Sequence, residues 1–490
     1  MRLTYPTFKE IAARQNPSAI FISADDGREF SFSAFWKLAG RIAGALSARG
    51  AKPGDRIAAQ VEKSVEAVGL FYACVRGGFI FLPLNTAYTP SEVAYFVDDA
   101  QPFIFISDPV GPAPIGPLHL TLNDHGGGSL MDIAVHQPDI DNDQPTDENT
   151  LCAILYTSGT TGKSKGAMLS QGNLISNAQS LVEEWRFTAS DVLIHALPVY
   201  HTHGLFVATN TMFLAGGKIL FRRKFDVTDV ISFLPKATAL MGVPTFYTRL
   251  LQRPELNRET CSNMRLFISG SAPLLAETHR DFLTLTGHAI LERYGMTETN
   301  MNTSNPYVGQ RKAGTVGKAL PGVSVRIENG VIEVKGPNVF KGYWCNEEKT
   351  KASFTEDGFF ITGDLGHFDE DNYVVISGRG SDLIITGGFN VYPKEIENVI
   401  DAMPGVLESA VIGLPHADFG EAVTAIIVPR DGVTLDANHI AAQLKTKLAA
   451  FKNPKTIHIV KELPRNAMSK VQKKVLRETY AASVAKSSKT

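Results

Sequence analysis

Hydrophobic residues along the first 140 positions alternate between two spacings. In residues 35–48 they recur at helical intervals, and in residues 64–77 they are dense enough for a helix buried on all sides. Residues 56–60 and 79–82 read as short strands, the second ending at Pro83. Helix-like and strand-like segments in alternation predict parallel sheets covered by helices. Chain breakers in residues 109–117 predict a loop, and the polar, acidic stretch 137–149 an exposed connection.

The middle third keeps this pattern, with strands predicted over 192–197, 217–221, 239–243 and 265–268. Beyond Val316 the pattern changes to short strands and turns, at 324–327, 331–334 and 373–376. Residues 378–382, Gly-Arg-Gly-Ser-Asp, read as a hinge. After it come a strand at 383–385, a helix from Pro393, a strand at 409–412 and an alternating run at 423–428. The expected organisation is an α/β fold. Residues 1–377 form a large N-terminal region of helix-covered sheets with a small β-rich subdomain, and residues 383–490 form a compact α+β C-terminal domain.

Composition narrows the function classes. The 490 residues are too many for one core, and 44% hydrophobic with 20% charged residues is ordinary for a globular protein. A net charge of −2 provides no bulk attraction for nucleic acid or an anionic membrane. The first residues, MRLTYP, hold no apolar signal core and no apolar run reaches 18 residues, so the expected address is the cytoplasm. The cysteines at 74, 152, 261 and 345 are scattered without metal spacing and are expected to be free thiols.

Candidate chemistry begins at residues 156–168, YTSGTTGKSKGAM, directly after an apolar run. Backbone N–H groups and hydroxyls of such a loop suit phosphate oxygens, glycines allow close approach, and lysines add charge. It is not the common P-loop, which needs four residues between its first glycine and Gly-Lys-Ser/Thr. Here only Thr160 and Thr161 separate Gly159 from Gly162. His201-Thr-His203 is a weak metal signal, two histidines at i, i+2 without a third ligand nearby.

Several ordered motifs together resemble the adenylate-forming superfamily, which includes acyl-CoA synthetases, luciferases and the adenylation domains of peptide synthetases. Residues 156–166 match its phosphate loop and residues 292–298, ERYGMTE, its nucleotide and metal motif. Phe360-Ile-Thr-Gly-Asp364 and Gly378-Arg379 match its ribose motifs. Residues 387–397 follow the linker as they do in the family, and residues 463–470, LPRNAMSK, hold the position of its catalytic lysine. The resemblance covers nearly the whole chain.

The resemblance implies attack of a carboxylate on the α-phosphorus of ATP, with pyrophosphate leaving, so cations and N–H donors dominate the chemistry. It implies a β/γ-phosphate cradle of Thr157, Ser158, Gly159, Thr160, Thr161, Gly162 and Lys163. Glu298 is implied as the Mg²⁺ ligand. Ser271, Ala272, Pro273, Glu292, Arg293, Tyr294, Gly295, Met296 and Thr297 border the nucleotide, with Asp364 and Arg379 on the ribose. Lys470 is the electrostatic catalyst, assisted by Glu298, Thr157 and His203. The C-terminal domain then rotates about Ser381, and Gly387 and Gly388 line a tunnel for the thiol of coenzyme A. Two positions depart from the family: Ser469 replaces the usual glycine before the lysine, and Ser381 the usual Asp or Lys of the hinge. A protein acetyltransferase acting on Lys470 is a further implied partner, one that would remove its charge.

Which acid is activated is expected to hang on residues 243–251, VPTFYTRLL. Pro244 and Thr245 suit a helix start, and Phe246, Arg249 and Leu250 then share one face. An arginine on that face can pair with a second carboxylate, which makes a dicarboxylic acid the natural ligand. The alternative is pairing with an acid such as Glu255, or plain solvation. Residues 198–205, 242–249 and 293–304 resemble those of malonyl-CoA synthetases. That resemblance implies malonate, with methylmalonate tolerated, bound by Arg249, His203 and Ser269. The stretch 326–333 is shorter than in many family members, which weakens the expectation of a hairpin there. Other readings are a medium-chain or aromatic acyl-CoA synthetase, an adenylation enzyme charging a carrier protein, and a non-catalytic nucleotide binder.

Overall fold

Helix Val65–Gly77 shows how the first layer is built. All 13 of its residues are buried, Ser64 caps its start by accepting from the Ala67 amide, and left-handed Gly78 (φ 70°) ends it. It connects strand Arg56–Gln60 to strand Ile80–Pro83, which lie parallel and adjacent. A helix buried on every side needs cover from both directions, and it packs against helix Phe32–Ala48 as well as the strands. The computed structural model describes residues 5–111, 114–138, 144–157, 164–386, 389–416, 420–448, 450–466 and 470–487.

Four sheets organise the described residues, and the fold is mixed α/β. The first has six strands in the order Leu118–Thr121, Ile104–Ser107, Arg56–Gln60, Ile80–Pro83, Leu151–Thr157, Lys165–Ser170. Its neighbours are parallel except the last pair, which is antiparallel. The second has nine strands. Its parallel centre comprises Leu291–Met296, Leu266–Ser269, Ala239–Gly242, Val192–His195, Lys218–Phe221 and Ile20–Ala24. Antiparallel strands flank it, with Asn300–Ser304 and Lys318–Ala319 on one side and Glu29–Ser31 on the other. One hydrophobic core runs between these sheets and through the helices they enclose. Open parallel sheets bind ligands beyond the carboxyl ends of their strands, which here are Thr157, His195, Gly242, Ser269 and Met296.

The third sheet is antiparallel: Ser324–Glu328, Val331–Lys335, Phe360–Phe368 and Val374–Arg379. The shortened stretch 326–333 forms a tight hairpin after all. Asn329 (φ 50°) and Gly330 (φ 80°) both take the left-handed region, as a two-residue turn with the right twist requires. A 3₁₀ turn, Gly380–Asp382, leads into the fourth sheet, with strands Ile384–Thr386, Phe389–Val391, Gly420–Pro429, Val406–His416 and Thr456–Ile459. It has its own core, with Ile396, Ile400, Val411, Ile427, Ile440 and Leu444 buried together. Cys74, Cys152 and Cys261 are buried free thiols and Cys345 is exposed. No helix among the described residues is long and apolar enough to cross a membrane.

Candidate active site

Strand Leu151–Thr157 brings Thr157 to Glu298, just past the end of strand Leu291–Met296. Thr157 Oγ1 donates to Glu298 Oε1 at 3.3 Å and Tyr343 Oη donates to the same oxygen at 3.0 Å. Burial raises the Glu298 carboxyl above its ordinary range, and the two hydroxyls offset part of that. Residues 158–163, the rest of the expected phosphate cradle, lie outside the described residues. Their exit is anchored where Tyr95 Oη donates to Ser164 O at 2.7 Å. Among the described residues no group of three or more His, Cys, Asp or Glu is placed to hold a metal, so His201 and His203 form no such centre. Glu298 is a buried carboxylate whose side-chain partners are two neutral hydroxyls. An oxygen donor of that kind fits Mg²⁺, which takes one carboxylate together with phosphates and water.

Asp364 and Arg379 are register partners across two strands of the third sheet. Arg379 Nε lies 3.1 Å from Asp364 Oδ1, and Tyr294 Oη donates to Oδ2 at 2.6 Å. Gly295 lets its strand press against the next: a Cβ there would lie 1.8 Å from Asn300 O. Met296 ends the strand as the partner of Asn300. Ser271 follows strand Leu266–Ser269 in the left-handed region at φ 70°, a conformation non-glycine residues adopt mainly at constrained sites. Ala272 is half-buried and Pro273 exposed. Glu292 Oε1 accepts from the Leu274 amide at 3.1 Å, while Oε2 is buried without a partner. Burial pushes this carboxyl up to about 8, against the Leu274 amide and the more distant Lys394 charge.

Next to Ser271 the polar groups have too few partners. His203 Nδ1 lies 3.2 Å from Ser271 Oγ, and its Nε2 is buried with none. Ser269 Oγ, Arg293 Nε and Arg293 Nη2 are also buried and unpartnered. The Arg293 guanidinium covers Gly270, where a Cβ would meet Cζ at 2.4 Å. Burial pushes the guanidinium down to about 9. His201 is held neutral at about 3, by burial first and then by the charges of Lys470 and Arg293. A cavity of about 60 Å³ adjoins it, lined by Tyr88, Tyr156, Tyr200, His201 and Thr297. Buried polar atoms nearly always have partners, so a cluster of orphans marks where a ligand places its own polar atoms.

Arg249 does not join this cluster. Helix Pro244–Leu251 buries Tyr247 and Leu250, and Arg249 is exposed. Phe246 is half-buried and stacks on Phe225 with ring centroids 3.8 Å apart. The inward face therefore carries Tyr247 with Leu250, one position round from the expected set of Phe246, Arg249 and Leu250. Glu255 pairs with Arg253 at 2.9 Å, not with Arg249. The buried arginine is Arg293, which sequence reading placed with the nucleotide motif. Strand alternation carried the signal for it. Tyr294 points to Asp364, so Arg293 points to the opposite face of the strand, away from Asp364.

Lys470 reaches this centre from the C-terminal region. Its backbone is held by Asn466, whose Oδ1 accepts from Lys470 N at 3.0 Å and whose N–H donates to Lys470 O at 2.9 Å. Burial pushes its ammonium down to about 8. Arg379 and Arg293 act in the same direction as burial, and Asp364 and Glu298 oppose them. Those four charges place Lys470 between the Asp364–Arg379 pair and the orphan cluster. Ser469, Gly387 and Gly388 lie outside the described residues. Ser381 sits in the turn Gly380–Asp382, and of its side chain nothing is described.

The chain matches the family model for AMP-binding enzymes over residues 9–344 and that for the AMP-binding enzyme C-terminal domain over residues 395–470. It is 56% identical to MatB from Rhodopseudomonas palustris solved with ATP bound, covering 97% of this chain and 98% of that one, with a TM-score of 0.95. Apo MatB from that organism has the same identity and coverage but a TM-score of 0.83. The parts of this chain are thus arranged more as in the ATP-bound form. A malonate–CoA ligase of Arabidopsis thaliana is 41% identical over 66% of this chain and 60% of its own length. An indoleacetate–CoA ligase of Aromatoleum aromaticum is 34% identical over 93% and 94%. With both family models matched in order and CoA ligases among its relatives, the chain belongs to the AMP-binding enzymes and is an AMP-forming acyl-CoA synthetase.

Proposed function

We propose that the acid is malonate, that methylmalonate is a second substrate, and that the products are malonyl-CoA, AMP and pyrophosphate. The observation that carries this reading is the buried Arg293, with two unpartnered N–H donors beside Ser269 and His203. A guanidinium buried without an acid costs several kcal/mol, a cost a second carboxylate removes. A monocarboxylate presents only the group that reacts and leaves Arg293 unpaired. Malonate presents two carboxylates one methylene apart, so one faces Lys470 while the other reaches Arg293. The exposed Arg249 is an outer, weaker contact for the same anion. The likeness to the Arabidopsis malonate–CoA ligase supports the reading.

In this reading the near carboxylate of malonate attacks the α-phosphorus and pyrophosphate leaves. Lys470 stabilises the charge that builds between carboxylate and phosphate. The phosphate loop and Thr157 hold the leaving pyrophosphate, and Asp364 and Arg379 hold the ribose. Glu298 would hold Mg²⁺, which when bound would supply positive charge to the phosphates. Rotation about residues 378–382 withdraws Lys470 and brings Gly387 and Gly388 in to line the thiol path. The coenzyme A sulfur then attacks the acyl carbon and AMP leaves. Held orientation serves in place of a nucleophilic cysteine.

The test is AMP release with CoA, across acetate, malonate, methylmalonate and octanoate. Malonate is expected to be the best substrate. Arg293→Met should lower kcat/KM for malonate about 10- to 100-fold, the worth of a charged hydrogen-bonded pair, while acetate changes little. Arg249→Ala should cost a few-fold on malonate. Equal loss on acetate and malonate in Arg293→Met overturns the assignment, and preference for octanoate returns the chain to the medium-chain reading. A carrier protein outperforming CoA would mark an adenylation enzyme that charges carriers.

A further inference from the structure

Behind the orphan cluster lies a buried cation that the reaction above does not use. Lys63, just before helix Val65–Gly77, is 6% exposed. Its Nζ lies 2.9 Å from His195 Nδ1, 2.9 Å from His195 O and 2.8 Å from Arg222 O, and 4.3 Å from the centre of the Phe221 ring. None of its three acceptors is a carboxylate. Burying an ammonium on neutral acceptors costs far more than an apolar side chain filling the same space.

The hydrogen bonds fix the protons. His195 Nε2 lies 2.9 Å from the carbonyl of Gly204, which can only accept, so Nε2 carries a hydrogen. Burial and the neighbouring Lys63 keep this ring neutral, so Nδ1 is bare and Lys63 donates to it. With two carbonyls also accepting, all three protons of an ammonium are used, although burial works against the charge. Gly204 is gripped further by Thr209 Oγ1, which donates to the same carbonyl at 2.9 Å. There is no room for a side chain on Gly204, where a Cβ would lie 2.1 Å from Pro198 O. Gly204 is the second residue of the π-helical turn His203–Ala208, and such turns gather at functional sites.

We propose that Lys63 and His195 form a positioning relay for His203. The ammonium fixes the His195 tautomer, His195 pins the Gly204 carbonyl, and the pinned turn holds the His203 imidazole on Ser271 with Nε2 free for the acid. Neither Lys63 nor His195 touches a reactant; both act through His203. The proposal rests on His203 belonging to the acid site, and the experiment separates the two.

ATP–pyrophosphate exchange with malonate is measured on the full-length enzyme and on His203→Ala, Lys63→Met, His195→Phe, His195→Gln and the Lys63→Met/His195→Phe double variant. Lys63→Met and His195→Phe should each lower kcat/KM for malonate at least tenfold, with KM for ATP within about twofold of wild type. The double variant should be no worse than His195→Phe alone, because residues acting through one path do not add. His195→Gln keeps an N–H donor for Gly204 O and should recover most of the loss. Unchanged malonate kinetics in Lys63→Met, multiplying losses in the double variant, or a parallel rise in KM for ATP overturns the relay. If Lys63→Met does not fold, equal activity of His195→Gln and His195→Phe overturns it instead. A fully active His203→Ala removes the acid-site reading itself, and the relay with it.

Discussion

In the proposed mechanism Lys470 is the residue on which the first half-reaction turns, and its surroundings hold its ammonium near 8. The charged form is the one that stabilises the transition state, so activity is full below that value and falls as pH rises through it. In the free enzyme kcat/KM for adenylation should drop about tenfold per pH unit above 8. Lys470→Arg keeps the charge to far higher pH, so its lower rate should stay flat through pH 8 and fall only where Arg293 loses its own charge, near 9. Lys470→Ala should lose exchange at least about 100-fold, yet convert supplied malonyl-adenylate and CoA to thioester within about threefold of wild type. An alkaline limb that stays near pH 8 in Lys470→Arg, or equal loss of both half-reactions in Lys470→Ala, would count against this role. The residues gathered around Lys470 were those the sequence motifs singled out, because Glu298, Asp364 and Arg379 each lie in short, ordered motifs. The exposure of Arg249 was not legible because one helical turn settles a face only when neighbouring elements are known. The burial of Arg293 on the side away from Asp364 was not legible either, because adjacent strand residues serve opposite faces and a motif does not say which.

At the scale of elements, strand Leu291–Met296 and its antiparallel neighbour Asn300–Ser304 are the pair that aims Arg293 one way and Tyr294 the other. Their close approach depends on Gly295, because a Cβ would sit 1.8 Å from backbone Asn300 O. Backbone cannot yield as a flexible side chain does. Gly295→Ala should cost more than about 3 kcal/mol, seen as a lower urea midpoint and poor soluble yield. A variant of wild-type stability would mean the pair can separate freely. Strands rich in Ile, Leu and Val were legible to within a few residues, because burial of a continuous apolar run is itself the signal. Asn300–Ser304 was not, although all five residues are buried. Several of its polar groups are met by hydrogen bonds from afar. Thr303 Oγ1 donates to Val316 O at 2.7 Å and Asn338 Nδ2 donates to Asn302 Oδ1 at 3.2 Å. No local spacing reveals partners that lie elsewhere in the chain.

At the scale of the whole molecule, the proposed mechanism needs Lys470 first present and then withdrawn, so contacts holding the C-terminal region in place must be weak. One such contact is on the surface. Arg430 Nη2, just past strand Gly420–Pro429, lies 2.7 Å from Glu277 Oε2 on helix Ala276–Thr286. Both side chains are nearly half exposed, so water and salt screen the pair and its worth is about 0.2–1 kcal/mol. That is the right size for a latch that must open every turnover. Glu277→Arg sets two cations against each other and should slow ATP–pyrophosphate exchange two- to fivefold at low salt. It should leave conversion of supplied adenylate unchanged or faster, since only the first arrangement is opposed. Restoring the pair in reverse, Glu277→Arg with Arg430→Glu, should bring exchange back. In about 0.5 M salt, where the screening length falls below 5 Å, the single and double variants should converge. If exchange in Glu277→Arg matches wild type at low salt, this pair holds nothing, and other contacts, such as those of helix Pro393–Asp401 with strand Val374–Arg379, hold the docked arrangement.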